Sequence, residues 1–289
     1  MKTESSRRRL CLAAAVSALV LIPLTACAAG PAQSMTTTQK VAKDCAPAHE
    51  FPTLTKGVLT IVAGESAVNF HGETPQGPYH GIGYDLVSGF AAKNCLALDV
   101  TLGTAGGSQL ALQEGQADLM ATFALATPER RKVFNLTDRI LFEGMGIISA
   151  DGSVSTVEDL KGKQVGVQAG ANWGAQLREI YGSNIIEYSD LASLGADVKV
   201  GRLSAAAVSS QAGLTLTDGL KMRLVKADDT HPDLTRTYDF VWASTKGNNG
   251  LTEALNDYLS RAREDGSLNA ALADNGVPKD FIDFYLNGR

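Results

Sequence analysis

The chain has 289 residues, of which 44% are hydrophobic, 20% charged and 6% aromatic, and its formal net charge is −5. This composition excludes a disordered chain, a collagen-like repeat and a disulfide-dense miniprotein, and it leaves room for one large domain or two moderate ones. The acidic balance also argues against a nucleic-acid partner, because a general nucleic-acid binder needs a basic surface to displace counterions from phosphates.

The first residues differ in kind from the rest. Lys2, Arg7, Arg8 and Arg9 form a basic head, and residues 10–24 run apolar except for Ser17 and Pro23. The run is too short to span a bilayer comfortably and reads as a signal peptide. It ends in Leu24-Thr25-Ala26-Cys27, which resembles a bacterial lipobox. That resemblance implies cleavage before Cys27 and a diacylglycerol on its sulfur. Acyl chains contribute ~0.8 kcal/mol per buried methylene, so several chains on one residue hold a protein at a membrane surface. Residues 1–26 contain four basic residues and one acidic residue, so the remainder keeps 22 basic and 30 acidic residues and a net charge of −8. Of the four Cys, Cys11 leaves with the signal and Cys27 is the lipidation site. Cys45 and Cys95 are expected to pair as a disulfide in an exported compartment, rather than remain free thiols.

Residues 27–56, rich in Ala, Pro, Thr and Gln, read as a flexible tether. Structure is predicted to begin at the β-branched run Val58-Leu59-Thr60-Ile61-Val62. A loop then covers 65–83, where His71, Glu73 and His80 share a Gly-rich, solvated stretch. A helix follows over 84–93, with Leu86, Val87, Phe90 and Ala91 on one face. Strands are predicted at 98–102 and 117–123 with a short helix at 109–113 between them. Thr127-Pro128 starts another helix, with a hydroxyl N-cap and Pro at the first helical position.

The pattern restarts after a strand at 144–150. Ser155-Thr156-Val157-Glu158 has the form of a capping box. Strands are expected at 164–167, 184–188, 205–208, 222–225 and 238–243, with helices opened by Gly170-Ala171-Asn172-Trp173 and running over 191–200. Two amphipathic helices close the chain, the first marked by Leu251, Ala254, Leu255, Tyr258, Leu259 and Ala262. Alternating strands and helices imply two α/β units built on mostly parallel sheets, with a cleft between them as the natural ligand site.

At this point the chain resembles the bacterial extracellular solute-binding proteins, the polar amino-acid class of ABC importer receptors. The resemblance covers roughly residues 57–277. It is carried by Gly57-Val58-Leu59-Thr60-Ile61-Val62, Gly81-Ile82-Gly83-Tyr84-Asp85-Leu86, residues 112–119 (LQEGQADL), Thr127-Pro128-Glu129-Arg130, Asp159-Leu160-Lys161-Gly162-Lys163 and Gly201-Arg202-Leu203. It implies an α/β, two-lobed, type II-like periplasmic-binding-protein fold with two hinge strands. The expected division is 1–26 signal, 27–56 tether, 57–148 with 244–289 as lobe 1, and 149–243 as lobe 2. The implied partners are a small-molecule ligand, an ABC permease and membrane lipid through the Cys27 anchor. The protein is expected to be monomeric, extracytoplasmic and without a cofactor.

The resemblance also assigns candidate ligand-binding residues. Arg130 matches the Arg that binds the ligand carboxylate, and a planar guanidinium suits that role because it can bond both oxygens. Gly170, Ala171 and Asn172 fall where the family grips the same carboxylate. Thr122, Phe123 and Leu125 occupy a cleft-lining strand end, and Phe70 falls where an aromatic covers the ligand; core packing is the competing reading for Phe70 and Phe123. The family's two ammonium-binding Asp positions are Ser204 and Ser209 in this chain, and a hydroxyl does not replace a carboxylate there. Glu65 is a candidate substitute anion. The expected ligand is therefore a small carboxylate-bearing solute, an amino acid or related organic acid, and the two Ser favour an acidic or apolar solute over an ordinary α-amino acid. An exported enzyme of dehydratase type or a lipid-anchored sensor are the alternatives. The enzyme reading lacks a G-x-S-x-G elbow or a phosphate loop.

Overall fold

A computed structural model describes residues 36–37, 41–42, 44–74, 76–169, 171 and 173–288. The expected signal peptide and Cys27 lie outside the described residues. Two sheets organise the rest. The first has the order Thr36–Thr37, Ala97–Gly103, Val58–Gly64, Leu119–Leu125, Tyr238–Thr245, Phe134–Leu136, with Leu141–Glu143 also paired to Tyr238–Thr245. Val58–Gly64 runs parallel to both of its neighbours. It reads as a continuous apolar run because both of its faces are covered. Leu59, Ile61 and Ala63 join the core beneath the helix Ile82–Lys93, while Val62 joins a second cluster with Leu112 and Met120.

The second sheet has the order Ile185–Tyr188, Val165–Gln168, Ala205–Ser209, Met145–Ser149, Lys221–Leu224. Its first three strands are parallel, and Met145–Ser149 is antiparallel to both of its neighbours. Its two faces also carry separate cores, one built on Ile147, Val165, Val167 and Trp173 and the other on Ile148, Leu194 and Val208.

Several elements depart from the expected pattern. The strand expected at 238–243 within lobe 2 lies instead in the first sheet, antiparallel to Leu119–Leu125, with Phe240 opposite Leu125. The reason is its alternation: Phe240 and Trp242 fit one core of that sheet, Val241 and Ala243 the other. The helix expected from Tyr84 begins at Ile82, because the carbonyls of Val68 and Asn69 accept the N–H groups of Ile82 and Gly83. Gly81 makes this start possible: its φ is 114°, and a Cβ there would lie 2.3 Å from the Asn69 carbonyl oxygen. The loop 65–83 contains a small hairpin of His71–Gly72 and Tyr79–His80. The expected capping box is shifted by one residue. Thr156 Oγ1 accepts the Asp159 N–H and Asp159 Oδ2 accepts the Thr156 N–H, around a single 3-10 turn over Glu158–Leu160. A third closing helix, Lys279–Asn287, follows Ser267–Asp274 and buries Phe284 and Tyr285.

The expected tether is also shorter than 27–56. From Cys45 the chain is held against the first sheet and its helices. Cys45 and Cys95 form a disulfide with a Cα–Cα distance of 5.7 Å, as expected. Ala48 N–H bonds to the Lys93 carbonyl, His49 N–H to Asn94 Oδ1 and Leu54 N–H to Asp118 Oδ1. Phe51 stacks on Phe90 with ring centroids 5.8 Å apart. A polar, Pro-containing segment without apolar periodicity is pinned here by single residues, so its order has no periodic signature.

Candidate functional site

The chain passes from the first sheet to the second at Gly144, between Leu141–Glu143 and Met145–Ser149. It returns between Lys221–Leu224 and Tyr238–Thr245. A cavity of about 350 Å³ opens beside these crossings. Leu125 and Phe240, partners across the first sheet, form one wall. Gln168, Ala169, Ala171, Trp173 and Ser209 form the other, and Glu143 lies between them. Strand ends converge here because parallel strands deliver their loops to the same edge of a sheet.

Of the residues expected to bind ligand, Leu125, Ala171 and Ser209 line this cavity. Arg130 does not line the cavity but is bonded to a residue that does: its Nη1 donates to the Leu125 carbonyl at 2.8 Å. Its position follows from the helix start foreseen in the sequence, since Thr127 Oγ1 accepts the Arg130 N–H at 3.2 Å and Pro128 occupies the first turn. Partial burial lowers the pKa of the guanidinium, yet Arg remains charged at any relevant pH. Among the described residues no carboxylate pairs with it.

Other candidates have structural roles. Phe70 is wholly buried, packed against Tyr79 and edge-on to Tyr84, because it lies on the core side of the first sheet. Phe123 is buried against Phe240 and Trp242. Thr122 Oγ1 accepts the Gly64 N–H and so ties two neighbouring strands. Ser204 and Glu65 are exposed and do not line the cavity. Gly170 and Asn172 lie outside the described residues.

Five cavity residues were not among the expected ligand-binding residues: Glu143, Gln168, Ala169, Trp173 and Phe240. Trp173 closes one side and donates from Nε1 to the Ala207 carbonyl. Glu143 is the most unusual of them. It is 2% exposed, and its carboxylate accepts the Ser210 N–H at 2.9 Å and the Ser210 hydroxyl at 3.0 Å. Burial pushes its pKa up to about 7; the hydroxyls of Ser209 and Ser210 and the N–H groups of Ser210 and Gln211 oppose that rise. The buried Tyr285 hydroxyl adjoins the same group, and its own pKa is raised, first by burial and then by the charge of Glu143. The available signal for Glu143 was its isolation: it is the one acid in an apolar stretch running from Ile140 to Ile148.

The chain belongs to the bacterial extracellular solute-binding proteins, family 3, whose pattern matches residues 59–274. It is 29% identical over 168 residues to an L-cystine-binding protein of Escherichia coli (strain K12), a stretch that covers 57% of this chain and 62% of that protein, a little under two thirds of its length. Its fold is similar to that of an ancestral cationic amino acid solute-binding protein, with a TM-score of 0.66 at 21% identity over 76% of this chain and 95% of the other. It is also similar in fold to the second substrate-binding domain of Lactococcus lactis GlnP in an open conformation, with a TM-score of 0.62 at 20% identity over 78% and 98% of the two chains. The fold is thus the two-lobed α/β architecture of amino-acid-binding proteins.

Proposed function

We propose that this family member is the receptor of an ABC importer, tethered outside the cell membrane by a lipid on Cys27, and that it captures a small carboxylate-bearing solute in the cleft between its two sheets. On this reading the lobes are 57–144 with 238–289 and 145–237, both boundaries moved from the expected ones to follow the Met145–Ser149 and Tyr238–Thr245 strands. The observation that carries the reading is the cavity itself: strand ends of both sheets meet around it, and a guanidinium without an acidic partner among the described residues is bonded to the carbonyl of one lining residue, Leu125. An Arg in that state can take a ligand carboxylate through two parallel hydrogen bonds, each stronger for being charge-assisted. Among the described residues no helix is long and apolar enough to cross a membrane. Trp173 and Phe240 add apolar contact area, as expected of a site that buries most of a small ligand. The protein works as a monomer with a separate permease.

Isothermal titration against the common amino acids, L-cystine and related organic acids tests the reading. Binding that weakens at least tenfold in Arg130→Ala is expected; unchanged binding in that variant refutes the carboxylate role. Membrane fractionation of cells carrying Cys27→Ser tests the anchor, with release of the protein as the expected outcome. An enzyme on this fold is a second reading, favoured by one observation: a buried cleft acid with a pKa near 7 is matched to proton transfer at neutral pH. Conversion of a bound ligand, followed by proton NMR and abolished in Glu143→Gln, would establish it.

A further inference from the structure

We propose that Glu143 is the anion of this cleft, the group that takes the protonated amine of the ligand from the crossing strand rather than from the second lobe. The proposal rests on reading the cleft as the solute site. Four observations carry it. Glu143 is the sole ionisable residue among the described residues that line the cavity. It is almost completely buried, and its hydrogen-bond donors, the Ser210 N–H and hydroxyl at 2.9 and 3.0 Å together with the Ser209 hydroxyl and the Gln211 N–H, are all neutral, so its charge has no counterion. Among the described residues no Lys, Arg or His forms an ion pair with it. Finally, Trp173 and Phe240 share the cavity, and aromatic faces favour a desolvated cation.

Physical chemistry then selects the ligand. A buried carboxylate without a countercharge is costly, and the cost is relieved when an ammonium enters the same site. The groups facing Glu143 from neighbouring elements are Ser209, Ser210, the Gln211 N–H and Tyr285. None of these is charged at neutral pH, since the Tyr285 hydroxyl is shifted further from ionisation. With Ser at 204 and 209 this chain carries no acid at those two positions, and Glu143 supplies the missing charge from a different strand. The cleft thereby discriminates an amine-bearing acid from its deaminated counterpart.

The test uses the folded full chain and the twenty proteinogenic amino acids, each paired with its deaminated acid, titrated calorimetrically against wild type, Glu143→Gln and Arg130→Ala. The expected result is that the amino acid that binds does so at least tenfold more tightly than its deaminated partner, and that Glu143→Gln weakens it 10–100-fold while changing the deaminated acid less than twofold. Equal losses for both compounds, no loss for either, or no binding by any amino acid overturns the proposal. Arg130→Ala is expected to weaken both members of a pair alike; if it does nothing while Glu143→Gln acts selectively, the carboxylate reading fails and the Glu143 assignment stands. Wild type alone provides a measurement that does not depend on a variant folding. The preference for the amine-bearing partner is expected to grow between pH 5.5 and pH 8 as Glu143 ionises, and a flat preference overturns the proposal.

Discussion

Removing the Cys45–Cys95 disulfide with Cys45→Ser and Cys95→Ser together is a quantitative test of how the N-terminal arm is integrated. The two residues are separated by 50 positions. In the chain-entropy treatment, a closed loop of that size lowers the stability of the unfolded ensemble by about 4 kcal/mol at 25 °C. The full amount is realised only if the arm stays docked until the first lobe unfolds. Its docking contacts support that condition: three backbone N–H bonds, to Lys93, Asn94 and Asp118, and the Phe51–Phe90 stack. With a urea dependence of about 2–3 kcal/mol per M, the midpoint should fall by about 1.3–2 M. The chain has two Trp, and they report separately: Trp242 is buried in the core of the first sheet and Trp173 in that of the second. Urea unfolding followed by fluorescence, with each Trp changed to Phe in turn, should place the shift on the Trp242 transition. A shift below about 0.3 M would refute the reasoning, because the arm would then detach before the core unfolds and the crosslink would constrain nothing that matters at the transition.

Three further outcomes are expected. Glu143 holds its proton more tightly in the folded protein than in the unfolded chain, its pKa rising from 4.5 to about 7. Its contribution is therefore fully present below pH 4.5 and is lost as pH rises to 7, by about 3 kcal/mol in all; urea midpoints of wild type minus Glu143→Gln, measured from pH 4.5 to 8, should show that decline and then a plateau. Asp118 is 3% exposed and accepts the N–H groups of Leu54 and Thr60 at 2.8 and 2.9 Å. Asp118→Ala leaves both donors unpaired and should cost about 3 kcal/mol, with faster hydrogen exchange at the Leu54 amide in particular. Thr127→Ala removes the hydroxyl that caps the helix Pro128–Val133 and should cost about 1 kcal/mol. Because that helix carries Arg130, the same variant should also weaken ligand binding, measured by calorimetry at a temperature where the variant is fully folded.

Local chemistry alone placed much of this protein. Val58–Gly64 and Ala205–Ser209 were legible because a strand covered on both faces needs apolar residues at successive positions. The helix at Thr127 was legible because a cap and a following Pro act within one turn. The pairing of Cys45 with Cys95 followed from counting thiols in an exported chain. A short motif marked Arg130 as a candidate. What remained depended on neighbours remote in sequence. The sheet that Tyr238–Thr245 joins is decided by a strand more than a hundred residues earlier, which local propensity cannot specify. The arm before residue 57 is ordered by single contacts to Asn94 and Asp118, so its composition still resembles a linker. Phe70 has the same chemistry in a core as in a cleft, and only its packing against Tyr79 and Tyr84 separates the two. Glu143 illustrates the same limit most sharply. An acid in an apolar strand is visible in one dimension, but its environment is made by Ser210, Tyr285, Trp173 and Phe240, which reach it only when two sheets and a closing helix come together. Charge and desolvation act through space, so the environment of a buried acid is defined by the tertiary fold.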